Sequence, residues 1–232
     1  MAAAALLPGA AVDAVLAAPS GYAVFDADGT LWRDDVGEAF LRHLVALGWV
    51  QLPDGRDPYR AYEEAVDRDK RTGYAYAAQL LAGLPAARVQ AEAARFSAQW
   101  VPPRIIASAE LLLMVCRSSG HTPVVVSASQ IDIVRAAVVH AGVAWTCCTG
   151  MATEVGRDGR YTETLLEPLT YAEGKVAAAV DKKWGPIAVA VGDSFTGDLA
   201  LLSAASVPIV VAVQGASPLA DEAARRGWTV IS

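Results

Sequence analysis

The sequence predicts an α/β protein: a doubly wound, mainly parallel sheet interrupted by an inserted all-helical segment. Three observations predict it. Short apolar runs rich in β-branched residues, at 22–25, 123–126, 187–191 and 207–213, carry no polar face, as strands covered on both sides require. From residue 121 onward these runs alternate with helical patterns, which is the βαβ signature. Between the first two runs only helical patterns occur, over a stretch too long for one crossover.

Taken in order, residues 1–16 are apolar, lack Lys and Arg, and are broken by Pro8, Gly9 and Asp13. They read as a short docking helix rather than a secretory signal. The first strand runs into Asp26. The helical stretch has a loop at 52–58, marked by Pro53, Asp54, Gly55 and Pro58, and a break at Pro102-Pro103. The second strand ends in Ser127 and feeds a helix over 131–140. A weaker strand is expected at 144–148, and a hairpin at 154–161 around Asp158-Gly159. A helix over 174–183 leads to the third strand, which ends in Gly192-Asp193. A helix at 197–205, a strand ending near Gln214 and Gly215, a helix at 218–226 and a weak strand at 228–231 complete the pattern. The expected division is a core of 1–32 plus 121–232, with 33–120 as the insertion, whose last helix is free to return to the core.

Composition bounds the function. A length of 232 residues suits one domain, or one domain plus a modest insert, enough for a core without disulfides. With 54% apolar and 19% charged residues it is not a disordered chain. Nineteen basic against 25 acidic residues, a net charge of −6, supply no cationic footprint for nucleic acid. No apolar run approaches the roughly 18 residues of a membrane span, so no membrane partner is expected. Cys116, Cys147 and Cys148 are too few and too bunched for a disulfide framework and read as reduced thiols of a cytoplasmic protein. His43, His121 and His140 share no spacing suited to a metal or a triad. Oligomeric state has no signature here.

In an open α/β sheet, functional side chains sit beyond the carboxyl ends of the strands. Here those ends deliver Asp26-Ala27-Asp28-Gly29-Thr30, then Ser127-Ala128, then Gly192-Asp193-Ser194 with Asp198 behind it, while Lys175 opens the preceding helix. Any one of these is ordinary: an Asp after a strand caps or turns, and a lone Lys is solvated. Together they put four carboxylates against one ammonium. Like charges so close cannot all stay ionised unpaired. A hard divalent cation resolves this, with Mg²⁺ the expected cofactor, and a metal among carboxylates implies an anionic substrate.

Phe25-Asp26-Ala27-Asp28-Gly29-Thr30-Leu31 resembles the first motif of the haloacid dehalogenase superfamily. Ser127, Lys175 and Gly192-Asp193-Ser194 with Asp198 are similar to its second, third and fourth motifs, in the same order, and a helical cap between the first two also fits. The resemblance runs from about residue 22 to the end and is nearest to the phosphoserine-phosphatase-like branch. It implies a phosphatase with Asp26 as nucleophile, Asp28 as general acid and then base, and Lys175 neutralising Asp26 and the phosphate. It implies Ser127 on the phosphoryl group, and Mg²⁺ held by Asp26, the Asp28 carbonyl and Asp193, with Ser194 supporting that shell and Asp198 supporting it or holding Lys175. The chemistry is sound by itself: a carboxylate is ionised at neutral pH and needs no base to attack phosphorus.

Departures from the pattern bear on the substrate, expected to be a small phosphorylated metabolite. Ser127 is followed by Ala128-Ser129 where that branch usually has two glycines, and residues 74–84 lack the arginine that would hold a carboxylate. An acidic residue that reads an amino group corresponds to Asp35 or Glu38. Trp32, with Tyr59, Tyr62, Tyr74 and Tyr76, suggests an aromatic wall for a cationic amino-alcohol or choline phosphate. The expected substrate-binding set is therefore Ser127, Ala128, Asp35, Glu38 and Trp32. Asp28 speaks against carbon–halogen hydrolysis. A phosphotransferase or phosphomutase shares all four motifs, and a non-catalytic phosphate-binding module is the non-enzyme alternative.

Overall fold

The computed structural model describes residues 7–212 and 217–232. In chain order the elements begin α1 (Gly9–Ala17), β1 (Tyr22–Phe25), α2 (Val36–Ala46), α3 (Pro58–Arg68), α4 (Lys70–Gln79), α5 (Ala86–Trp100) and α6 (Ala107–Ser118). They continue β2 (Thr122–Gln130), α7 (Ile131–Val138), β3 (Cys148–Met151), β4 (Thr153–Val155) and β5 (Tyr161–Leu165). The last are α8 (Glu173–Asp181), β6 (Ile187–Gly192), α9 (Phe195–Ser203), β7 (Val207–Val211), α10 (Pro218–Arg226) and β8 (Thr229–Ile231). The expected end of the fourth strand at Gln214 and Gly215 lies outside the described residues.

The main sheet has the order β3-β2-β1-β6-β7-β8, and β1 pairs in parallel with both β2 and β6. Strand order thus reverses at β1, the switch point beyond which α/β sheets bind ligands. Val24, Phe25, Val124, Val125 and Ala188 through Val191 have no exposed surface, which is why these runs lack a polar alternation. The structure extends β2 past the expected stop at residue 126: it continues through Ser127 to Gln130, alongside β3.

The chain forms two compact units. The first comprises residues up to 34, then 104–126 and 172 onward; the second comprises 35–103 and 127–171. In the first, α1 packs on α6, β7 and β8, burying Ala11 and Val15. In the second, α5 packs on α7, α3 on α4, and α4 on β5 of the antiparallel β4–β5 hairpin. Its core includes Ala75, Ala78, Met151 and Leu169. Where the sequence placed 127–171 with the sheet, these contacts group it with α2 to α5. Helix α6, which ends the helical stretch, belongs to the first unit.

Local signals explain the helix starts. Asp35 caps α2 by accepting from Glu38 N at 2.8 Å, and Asp57 caps α3 ahead of Pro58. Ser194 caps α9 and Ser217 caps α10. Among the described residues no helix is long and apolar enough to cross a membrane.

Candidate active site

In the first unit, Asp26 follows β1 directly, and its backbone N–H donates to Val191 O on β6 at 2.8 Å. This bond levels the end of β1 with the end of β6 and so brings Asp26 beside Asp193. The turn after Asp26 closes through Leu31 N to Ala27 O at 2.8 Å. Gly29 sits in it at φ +79°, and a Cβ there would overlap the Asp193 carboxylate. Both facts demand glycine.

Lys175, in the first turn of α8, is 2% exposed and lies between two carboxylates. Its Nζ donates to Asp26 Oδ1 and, at 2.6 Å, to Asp198 Oδ1. Asp198 is fully buried on α9, and its Oδ2 accepts from Asp193 N at 3.1 Å and Ser194 N at 2.9 Å. Asp198 therefore holds both the lysine and the loop carrying Asp193. Thr30, to which the sequence assigns no role, donates from Oγ1 to Asp193 Oδ1 at 3.3 Å.

The electrostatics follow from burial. Desolvation, with Asp198 next, raises the Asp26 carboxyl well above the usual carboxylate range, while Lys175 opposes the shift. Burial and then Asp198 push Asp193 up to about 7. Burial works against the charged Lys175, but Asp198 and Asp26 outweigh it and hold the ammonium above its ordinary value. Carboxylate oxygens of Asp26, Asp193 and Asp198 lie within 4.8 Å of one another. With all three carboxylates ionised against one ammonium, two negative charges are in surplus, which a divalent cation would balance. The hard-oxygen donor set suits such an ion.

Trp32 departs from the expected aromatic wall. It is 0% exposed, so its ring offers no face to a substrate, and its indole N–H donates to Asp28 Oδ1 at 2.8 Å.

In the second unit, Ser127 is fully buried. Its Oγ accepts from Ser129 N at 3.0 Å, and its carbonyl accepts from Thr170 Oγ1 at 2.6 Å. Thr170, 43 residues away, has no sequence signal. Ala128, Ser129, Gln130, Asp35 and Glu38 line one small cavity with Tyr62 and Tyr74. Asp35 accepts from Ser129 Oγ at 3.4 Å, and Glu38 is engaged by Tyr59 and Arg42. Gly37 has a structural reason as well: a Cβ there would come 2.7 Å from Ser129 Cβ.

A family model described as haloacid dehalogenase-like hydrolase matches residues 23–203. The chain is 28% identical over 228 residues to a histidinol-phosphatase of Neisseria meningitidis serogroup C (strain 8013), spanning 90% of this chain and 97% of that protein. Its fold is similar to a protein of unknown function from Bordetella pertussis Tohama I, with TM-score 0.76 and 23% identity over 92% of this chain and 98% of the other. It is also similar to a substrate-bound phosphoserine phosphatase, with TM-score 0.58 and 18% identity over 92% and 93% of the two chains.

Proposed function

We propose, from the premise that the chain belongs to the haloacid dehalogenase-like hydrolase family, that it is a Mg²⁺-dependent phosphomonoesterase of a small phosphorylated metabolite. The observation that supports this best is the buried Asp26–Lys175–Asp198 array with Asp193 beside it. Asp26, the Asp28 carbonyl and Asp193 would hold the ion, which lowers the charge barrier between an anionic nucleophile and an anionic ester.

The protein groups do the rest. Asp26 attacks phosphorus, and the bond to the leaving oxygen breaks as Asp28 gives that oxygen a proton. Water then attacks the aspartyl phosphate, Asp28 takes its proton, and Asp26 is regenerated with release of inorganic phosphate. Lys175 keeps Asp26 in place and offsets charge on the transferring group, and Ser127 binds that group. Catalysis of this kind is positioning and charge neutralisation, and a rigid buried array supplies both.

For the substrate we favour a phosphate ester whose organic part is a small amine. Asp35 supplies negative charge in a cavity walled by Tyr62 and Tyr74. A histidinol-phosphatase among the relatives agrees with such a class.

Asp26→Asn tests the mechanism. Phosphate release from any ester should fall about 10⁴-fold or more in a protein that still folds, and retained turnover would falsify the nucleophile assignment. Product analysis of the wild type separates hydrolysis, which yields inorganic phosphate, from a mutase, which yields an isomeric ester.

A further inference from the structure

Tryptophan is rarely buried completely, yet Trp32 has no exposed surface. A buried indole N–H needs an acceptor, and here the acceptor is Asp28 Oδ1. The backbone ties the two residues together: Asp28 and Trp32 are bridge partners, and Gly29 N donates to Trp32 O at 2.9 Å. On its other side the chain returning from α5 braces the tryptophan. Trp32 bridges Ile105, Arg33 N donates to Arg104 O at 2.9 Å, and Ile106 N donates to Leu31 O at 3.0 Å. Arg104 also pairs with Asp34 at 3.2 Å. The donor is therefore fixed by hydrogen bonds to both strands of chain around it.

An indole N–H donates and never accepts. An oxygen facing it cannot direct an acid proton at it, so the proton of the carboxylic acid belongs on the other oxygen. The geometry points to Trp32 as a positioning residue that orients the Asp28 carboxyl and assigns its transferable proton to Oδ2. This rests on the reading of Asp28 as acid and base. As the Asp26 oxygen bonds to phosphorus, the bond to the leaving oxygen breaks with its electron pair, and the Oδ2 proton completes the alcohol. In the second half, the attacking water gives its proton to Oδ2, and the phosphorus–oxygen bond to Asp26 breaks with its pair returning to the carboxylate.

Trp32→Phe keeps an apolar ring and removes the donor together with the volume of the five-membered ring. The leaving group reads the effect, because p-nitrophenolate departs without a proton and an alkoxide does not. In a single turnover, release of glycerol from β-glycerophosphate should slow about 10- to 100-fold, and release of p-nitrophenolate less than about threefold. Steady-state turnover falls on both esters, because Oδ2 also takes the proton of the attacking water. In Asp28→Asn the single-turnover asymmetry should be larger. Equal single-turnover losses on both esters, or none, overturn the inference. A second measurement needs no activity. The indole ¹H–¹⁵N signal missing in Trp32→Phe should move in Asp28→Asn, and an unmoved signal overturns the contact; if Trp32→Phe does not fold, the signal whose hydrogen exchange marks it as fully buried is followed instead. Wild type inactive on every ester would overturn the functional reading. An active wild type with an asymmetric Asp28→Asn but a symmetric Trp32→Phe would overturn this inference alone.

Discussion

The array of Asp26, Lys175 and Asp198 in the first unit is buried, whereas the ion pairs on α2 and α3 of the second are exposed. Lys175 and Asp198 are almost inaccessible, and the two oxygens of Asp198 serve three donors. In the second unit Arg42 reaches Glu38 and Glu63 at an exposed surface, and Arg60 pairs with Glu64 there. A buried charge cannot lose its partner cheaply, whereas an exposed one exchanges its partner for water. The buried array of the first unit therefore tolerates change poorly, whereas the exposed pairs of the second can be exchanged at little cost.

The largest effect that can break the comparison is at Lys175. Lys175→Met should cost about 3–5 kcal/mol of stability in metal-free buffer, because Asp26 and Asp198 are left facing each other without a cation. Urea unfolding measures it, and a cost under about 1 kcal/mol would show that the array is not electrostatically strained.

An intermediate effect is expected inside the second unit, where Asp132, Gln130 and Tyr161 form a buried network that Gln90 joins from the surface. Asp132 accepts from Tyr161 Oη at 2.6 Å, from Gln130 Nε2 at 2.7 Å and from Gln90 Nε2 at 3.1 Å. Asp132→Ala strands the buried Tyr161 and Gln130 donors and should cost about 2–3 kcal/mol. If the cavity that Gln130 lines receives the substrate as proposed, KM should rise while kcat changes little. A neutral result would extend the tolerance of the second unit to its interior.

The smallest effect is at Arg42, which pairs with Glu38 in the open. Arg42→Ala should leave the melting temperature where it is, and a clear drop in a thermal scan would overturn the contrast.

Most of the framework was legible along the chain. The apolar runs marked β1, β6 and β7 because strands buried on both faces cannot alternate. Ser217-Pro218 and Gly227 bracket α10 at its observed limits. Asp26, Lys175, Asp193 and Asp198 could be read as one group because each adjoins a strand end or a helix start. Trp32 was misread as a wall of the crevice, since side-chain burial depends on the segment 104–106, which is distant in sequence. Thr170 and Tyr161 gave no signal, being ordinary residues made important by what they touch.

Sequence by itself determined the places of β1, β6 and β7 and the order of the charged residues, because these follow from local patterning, and its motifs carried the resemblance to the hydrolase family. Tertiary structure decided which oxygen meets which donor: Asp198 holding Lys175 and a loop at once, Trp32 donating to Asp28, Asp132 joining three elements. The physical reason is that hydrogen bonds act over about 3 Å, a distance set by packing between segments far apart along the chain.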